Sequence, residues 1–246
     1  TNEELTKTSN NQPALMAVSI ALVKVIEKEA NIKFSDLASI VCGHSLGEYS
    51  ALCSINSINI ANTARLLETR GKAMQESVAG EKTKMTAVIG LNIEDVENIL
   101  EENKSDRVCQ IANDNCPGQI VLSGHSDQID KISKICKQNG AKITIDLNVS
   151  APFHCSLMKN VSNTIQLALK DVNVSDADTK FINNYNACFE KNSENIKKLL
   201  VKQVVNRVRW RETINLVANS EVNKIFEIGS GKVLSGLNRR MGINLE

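Results

Sequence analysis

One short segment of the sequence places a nucleophilic side chain between two regularly spaced glycines. In Gly43-His44-Ser45-Leu46-Gly47, one glycine stands two positions before the serine and another stands two positions after it. This G-x-S-x-G pattern is typical of a tight turn from a strand into a helix, where the serine hydroxyl is exposed at the helix N-terminus and backbone N–H groups can stabilise an oxyanion. We expect glycine at both positions because side chains there would clash across the turn. Alone, the pattern also fits an ordinary strand-to-helix turn.

A nucleophilic serine needs a base, and the sequence contains three histidines. His44 neighbours Ser45, but the turn would direct its ring away from the hydroxyl, so we interpret it as structural. His125 falls in another strand-to-helix turn, where a solvated or capping role is expected. His154 follows Ser150-Ala151-Pro152-Phe153, where an irregular segment meets a helix start; a helix N-terminus disfavours the imidazolium and keeps the ring basic. The residues alone leave a catalytic role for His154 open.

Two further charged side chains bear on this chemistry. Asp146 is the nearest acid between the serine and the histidine, but it lies in a strand pattern, so a serine–histidine dyad with a neutral acceptor is equally consistent. Arg70 lies on the helix after the serine, and a buried guanidinium there would bind a substrate carboxylate through two parallel hydrogen bonds. An exposed arginine paired with Glu68 or Glu76 is the alternative, and the sequence alone favours it.

Hydrophobic patterning predicts the elements that must position these groups. The predicted strands cover residues 37–42, 85–91, 108–112, 119–122, 143–147 and 225–228. The predicted helices begin at Pro13 and then cover 49–53, 60–78, 93–103, 126–138, 155–169, 196–205, 212–218 and a last segment ending at 240. The first helix is apolar around much of its circumference, so we expect it to be deeply buried.

The order strand–helix–strand–strand–helix–strand in the middle of the chain predicts a ferredoxin-like subdomain. We expect this βαββαβ unit at residues 84–149, inserted into a larger domain that is made of residues 1–83 and 150–246. At 246 residues and 42% apolar composition, the chain can bury the core of such an α/β protein.

Composition argues against several classes of protein. The 29 basic and 28 acidic side chains give a net charge of +1, and aromatic residues make up 3%, so nucleic-acid binding is not expected. The seven cysteines include no CxxC pair, which argues against a metal site or a disulfide framework. No apolar run approaches the roughly 20 residues of a membrane helix. The polar start lacks a signal-peptide pattern, so we expect a cytoplasmic protein, or an organellar one if a targeting segment was removed.

Several blocks of the sequence, taken together, resemble malonyl-CoA:acyl-carrier-protein transacylases. They are, in chain order, Gln12-Pro13-Ala14-Leu15, residues 43–52, Arg70-Gly71-Lys72-Ala73-Met74-Gln75, Asn115-Cys116-Pro117-Gly118-Gln119, residues 150–154, Ser156-Leu157-Met158 and Gly231-Lys232-Val233-Leu234. The similarity covers essentially the whole chain and keeps the family's order and spacing. It implies an α/β-hydrolase-like large domain with a ferredoxin-like insertion.

The resemblance also implies roles for individual residues. Ser45 would be acylated, His154 would act as general base and acid, and Arg70 would hold the malonyl carboxylate. Four further residues would bind substrate or orient these groups: Leu46 through its N–H as an oxyanion donor, Gln203 through the carbonyl that orients the histidine, Gln12 and Asn113.

The activity implied by the resemblance is transfer of a malonyl group from malonyl-CoA to the phosphopantetheine thiol of acyl carrier protein, through a malonyl-serine, in fatty-acid synthesis. Malonyl-CoA would be a substrate, no cofactor is expected, and the protein would be a monomer that meets neither nucleic acid nor membrane. We expect acyl carrier protein to dock on a basic rim, with Lys72, Lys82, Lys84, Arg209 and Arg211 as candidates. A thioesterase or other serine hydrolase, and an inactive or non-catalytic acyl-binding fragment, are the alternatives.

One departure from the family concerns the start of the chain. The family opens with a strand that ends in a G-Q-G-S-Q loop, whose glutamine supplies a second oxyanion donor, whereas residues 1–11 here are polar. We therefore expect roughly 50 further residues upstream, a length taken from the resemblance. Without them, the chain would be poorly stable, weakly active, or both, because losing one oxyanion donor typically costs about a hundred- to thousand-fold in rate.

Overall fold

The computed structural model describes residues 4–5, 7–77, 81–149 and 151–243, which form an α/β fold with two β-sheets. The α-helices are α1 (Thr8–Ala30), α2 (Phe34–Leu37), α3 (Leu46–Ser54), α4 (Ile60–Glu76), α5 (Ile93–Glu102), α6 (Ser126–Gln138), α7 (Lys159–Ala168), α8 (Ser193–Gln203), α9 (Trp210–Ala218) and α10 (Val233–Arg240). The strands are β1 (Ile40–Val41), β2 (Thr83–Ile89), β3 (Cys109–Cys116), β4 (Gln119–His125), β5 (Ile143–Asp146), β6 (Lys180–Ile182) and β7 (Phe189–Glu190). The predicted helix end at residue 78 and the predicted domain junction at residue 150 lie outside the described residues.

The middle of the chain forms a four-stranded antiparallel sheet in the order β3-β4-β2-β5. Together with α5 and α6 it has the strand–helix–strand–strand–helix–strand connectivity and the strand order of a ferredoxin-like unit, as predicted. Apolar residues of both helices, among them Val96 and Ile132, are buried against one face of the sheet. The opposite face carries Met85 and Val121, on which Phe153 packs, so this sheet supports the segment that leads into His154.

The second sheet is short and lies at the start of the G-x-S-x-G turn. Strand β1 pairs in parallel with β6, which pairs antiparallel with β7. Its core is shared with α1, α3, α4 and α7. The predicted strand over residues 37–42 shrinks to two residues, because residues 34–37 form a helical turn, and the sequence pattern did not indicate β6 or β7.

Helix α1 differs from the sequence prediction at both its start and its burial. It begins at Thr8, so that Pro13 lies inside it, and residues such as Val18 and Val25 are exposed. The first turn of α1 packs closely on α4: a Cβ on Gly71 of α4 would lie 2.5 Å from the Thr8 carbonyl oxygen, so the glycine leaves room for this turn. Neither α1 nor any other helix in the described part of the chain is long and apolar enough to cross a membrane.

The predicted strand over residues 225–228 is wrong. This segment is irregular and carries no strand pairing among the described residues. The Phe226 side chain is 76% exposed, so the short apolar run is not buried against a sheet.

Candidate active site

Ser45 occupies a strained turn between β1 and α3. Its backbone has φ 54° and ψ −110°, a conformation that residues other than glycine rarely adopt. A Cβ on Gly43 would lie 2.0 Å from the Gly47 carbonyl oxygen, so residue 43 must be glycine for the turn to close. A Cβ on Gly47 would meet nothing within 4 Å, so the expected clash at that position is wrong.

The turn is held from across the sheet by Asn184, which follows β6. The Ser45 N–H donates to Asn184 Oδ1 at 2.7 Å, and Asn184 Nδ2 donates to the Gly43 carbonyl at 2.8 Å. Asn184 is fully buried. Sequence reasoning missed this residue. The available signal was an asparagine pair after the apolar residues Phe181 and Ile182, because parallel strands end at a common edge where polar groups converge.

Ser45 and His154 are in direct contact, with Oγ 2.8 Å from Nε2. His154 Nδ1 lies 2.9 Å from the Gln203 carbonyl oxygen, which can only accept, so Nδ1 carries the ring proton and Nε2 presents its lone pair. Arg70 Nη2 donates to Ser45 Oγ at 3.0 Å, and an arginine can only donate. The serine proton must therefore point at His154 Nε2, which is the arrangement required for general-base activation.

His154 is kept neutral mainly by burial. Removal from water, and then the positive charge of Arg70, lower the pKa of His154 to about 3. The predicted helix N-terminus contributes little, because His154 has φ 58° and precedes only the three-residue 3-10 turn Ser156–Met158. The ring is thus a neutral base throughout the ordinary pH range.

Arg70 is buried, with 2% of its surface exposed, and it points from α4 at the serine. Its Nη1 donates to Gln12 Oε1 at 2.7 Å, and its Nη2 donates to Gln203 Oε1 at 3.0 Å. Glu68 pairs instead with Lys72 on the surface, so the alternative pairing of Arg70 with Glu68 is not formed. In the described part of the chain, every hydrogen-bond acceptor of this buried cation is neutral, which leaves it suited to an incoming carboxylate.

Glu48, in the first turn of α3, is a buried carboxylate that hydrogen-bonds two residues of the site, Asn184 and Gln203. Its Oε1 accepts from the Asn184 N–H at 3.3 Å and its Oε2 accepts from Gln203 Nε2. Burial raises the pKa of Glu48 to about 7, against the smaller lowering effect of its hydrogen bonds and of Arg70. Sequence reasoning assigned Glu48 no role.

The other two histidines serve the structure. His44 Nε2 lies 2.9 Å from Asn115 Oδ1 and its ring packs on Trp210 at 5.6 Å, which turns it away from Ser45. His125 is 6% exposed, so the solvated role predicted for it is wrong. Its Nδ1 accepts from the Val108 N–H at 2.7 Å, which ties the start of α6 to the residue that precedes β3.

The remaining predicted site residues differ in whether they contact Ser45, His154 or Arg70. Leu46 is the first residue of α3, where a backbone N–H has no intrahelical acceptor and can face a ligand. Gln12 hydrogen-bonds Arg70 directly.

Two other predicted residues lie away from these groups. Asn113 is buried in β3 and is bridged to Val208, and among the described residues no hydrogen bond joins it to Ser45, His154 or Arg70. Asp146 hydrogen-bonds Thr86 and Lys84, away from His154.

Comparison with known proteins gives consistent matches along the chain. The acyl transferase domain family matches residues 1–235. The malonyl CoA-acyl carrier protein transacylase of Salmonella typhimurium is 37% identical over 239 residues, which are 97% of this chain and 76% of that protein. The crystal structure of acyl-carrier-protein-S-malonyltransferase from Bartonella henselae is 47% identical with a TM-score of 0.93, and the match covers 98% of this chain and 76% of that one. A complex of a type II PKS acyl-carrier protein with its malonyl-transacylase matches with a TM-score of 0.93 at 37% identity, over 100% of this chain and 78% of that one.

Proposed function

The chain belongs to the acyl transferase family, and on that premise we propose that it transfers a malonyl group from malonyl-CoA to the phosphopantetheine thiol of acyl carrier protein. The transfer runs in two half-reactions through a malonyl ester of Ser45. Both are exchanges between a thioester and an ester, so nothing is oxidised or reduced and no cofactor is called for.

In the first half-reaction, Ser45 Oγ attacks the thioester carbonyl of malonyl-CoA while His154 Nε2 takes the hydroxyl proton. The Leu46 N–H stabilises the oxyanion of the tetrahedral intermediate. When the C–S bond breaks, His154 returns its proton to the departing sulfur, which leaves as the CoA thiol. The Gln203 carbonyl, 2.9 Å from His154 Nδ1, supports the imidazolium that exists between these two proton transfers.

In the second half-reaction, the thiol of the carrier protein gives its proton to His154 and its sulfur attacks the ester carbonyl. The bond between Ser45 Oγ and the acyl carbon breaks, and His154 protonates the serine. The enzyme is thereby regenerated and the malonyl group leaves as a thioester of the carrier protein.

The observation that carries this proposal is the buried Arg70 beside the nucleophile. Arg70 is 2% exposed, and its hydrogen-bond partners Gln12, Gln203 and Ser45 are all neutral. A malonyl group bound to Ser45 brings a free carboxylate to this cation, and the pair can form two parallel hydrogen bonds. A serine hydrolase acting on a plain acyl ester has no use for such a cation, which makes the thioesterase alternative the weaker one.

Carrier-protein docking requires basic groups that are not already neutralised. Lys84 is held between Asp130 and Asp146, and Arg211 is paired with the buried Asp114. Lys72 is likewise paired with Glu68, and Arg209 with Glu212. Among the described residues Lys82 is the one candidate without an ion pair, so we narrow the predicted basic rim to the surface around Lys82.

Mass spectrometry of the intact protein after mixing with malonyl-CoA tests the proposal. We expect one malonyl adduct on Ser45, stable in the absence of a thiol acceptor and discharged by acyl carrier protein bearing phosphopantetheine. The Ser45→Ala variant is the matched control and should acquire no adduct. Rapid hydrolysis of the adduct without acceptor would indicate a hydrolase, and no adduct on the wild-type protein would indicate a non-catalytic chain.

A further inference from the structure

Gln203 connects the base and the arginine through two different parts of one residue. Its backbone carbonyl lies 2.9 Å from His154 Nδ1, and its side-chain oxygen accepts from Arg70 Nη2 at 3.0 Å. Its side-chain Nε2 donates to the Ser45 carbonyl at 2.9 Å and to Glu48 Oε2. The amide therefore has a direction: its oxygen faces the cation and its nitrogen faces two acceptors.

Glu48 is the charged acceptor that reinforces this direction, alongside the Ser45 carbonyl. Arg70 is a donor only, while a carboxylate is an acceptor only, so an amide placed between them satisfies both in one orientation and neither in the other. Glu48 is in turn fixed, since it is fully buried and its second oxygen accepts from the Asn184 N–H at 3.3 Å.

We propose that Glu48 is a positioning residue for acyl selectivity: as an unprotonated acceptor it holds the Gln203 amide with its oxygen toward Arg70, and so keeps the guanidinium aimed at a substrate carboxylate. This inference rests on the proposed malonyl transfer and deepens it. If Glu48 is protonated, the amide nitrogen loses its charged acceptor and keeps only the Ser45 carbonyl, so the preference for this direction weakens. In the reversed orientation its NH2 group faces the Arg70 guanidinium, donor against donor, and the cation moves away from its binding position.

The protonation of Glu48 can be followed because the ionisable groups around it do not titrate in the same pH range. The groups that face it are Arg70, Cys42 and Tyr49. Burial raises the pKa of Cys42 and of Tyr49 to about 12, whereas it raises that of Glu48 to about 7. A free substrate carboxylate titrates at about pH 4, well below this range.

The test uses the isosteric variant Glu48→Gln, with acylation of Ser45 by malonyl-CoA and by acetyl-CoA followed separately by intact mass in single-turnover experiments. We expect malonyl acylation to slow about tenfold or more, the usual scale for a lost hydrogen bond to a charged group, while acetyl acylation changes about threefold at most. The matched control is Glu68→Gln, because Glu68 lies on α4 with Arg70 but pairs with Lys72 at the surface. It should leave both rates unchanged.

Equal slowing of both acyl groups in Glu48→Gln would show a merely structural role and overturn the inference, as would no slowing at all. The wild-type protein provides a second measurement that does not depend on the variant folding. Its ratio of malonyl to acetyl acylation should fall as the pH is lowered from about 8.5 to about 6, since protonation removes the negative charge that attracts Gln203 Nε2 and adds a competing donor to Glu48. A flat ratio would overturn the inference while the malonyl adduct on Ser45 still supported the proposed function; absence of that adduct at pH 8 would instead refute the proposed function itself.

Discussion

The guanidinium of Arg70 donates a hydrogen bond to Oγ of Ser45 across 3.0 Å. This contact directs the serine proton toward His154, because Oγ accepts from Arg70 and has only its own proton left to donate. The same cation also lies beside the position that an acyl group attached to Oγ would occupy. In the proposed mechanism Arg70 thus bears on two steps, the orientation of the nucleophile before attack and the binding of a free carboxylate afterwards.

Replacing Arg70 with alanine should reduce malonyl transfer far more than acetyl transfer. A malonyl carboxylate would be left buried without its partner, at a cost of about 3 kcal/mol or roughly a hundredfold in rate. Acetyl transfer loses only the orientation of the serine proton. The measurement is kcat/KM for the two acyl-CoA substrates, with Arg65→Ala, an exposed arginine on the same helix, as the control. A similar decrease for both substrates would assign Arg70 a purely structural role.

How much of this site is predictable from sequence depends on whether its signal is local. Ser45 is marked by the glycines around it, and Arg70 and His154 stand in blocks that resemble a known family. Asn184 has no local mark, because it lies 139 positions from Ser45 and acts through one side chain on a turn built elsewhere. The sequence gives no signal for Glu48 either. An acidic residue in the first turn of a helix is ordinarily a solvated group that stabilises the helix, and only tertiary packing buries this one.

The elements show the same division. The ferredoxin-like sheet was predictable because its strands and helices are long enough to show a clear period and its turns carry glycine or proline. Strands β6 and β7 have three and two residues, too few for any alternation to be read. The boundaries expected for the two domains remain a prediction.

Replacing His154 with glutamine should make the stability of the protein less sensitive to acid. Burial and the charge of Arg70 lower the pKa of His154 to about 3, while an unfolded histidine titrates at about 6.5. Between these values the unfolded chain binds a proton that the folded chain does not, so stability falls as the pH falls. From about pH 6.5 to pH 5 this amounts to about 2 kcal/mol. Urea unfolding at pH 7 and pH 5 measures the difference, and an equal decrease in wild type and variant would contradict the assignment. His44, whose pKa burial also lowers, is present in both proteins and cancels.

The two glycines of the serine turn should respond differently to alanine. In Gly43→Ala the new Cβ would lie 2.0 Å from the Gly47 carbonyl oxygen, so the turn must open and Ser45 must move from His154. In Gly47→Ala the new Cβ meets nothing within 4 Å. Alanine also favours the helical conformation that residue 47 adopts in α3, by up to about 1 kcal/mol. We expect Gly43→Ala to lose acylation by about a hundredfold or to unfold, and Gly47→Ala to retain folding and acylation. Similar behaviour of the two variants in thermal unfolding and adduct formation would show that the turn does not close tightly over residue 43.

Asn184→Asp should slow acylation without changing acyl selectivity. The aspartate can still accept from the Ser45 N–H, but an oxygen replaces Nδ2, which now donates to the Gly43 carbonyl at 2.8 Å. Two acceptors would then face each other in a fully buried position, and the strained backbone of Ser45 would lose one of the two bonds that hold it. Because the displaced group is the nucleophile itself, malonyl and acetyl acylation should both decrease, by about tenfold or more. Glu48→Gln, in contrast, is expected to change the ratio of the malonyl and acetyl acylation rates.

Asn186→Asp makes the same chemical change at an exposed position two residues away and serves as the control. Single-turnover acylation with both acyl-CoA substrates, combined with thermal unfolding, separates these outcomes. A change in the malonyl-to-acetyl ratio would mean that Asn184 acts through Glu48 and Arg70. Wild-type rates would mean that the turn keeps its shape without the hydrogen bond from Asn184 Nδ2.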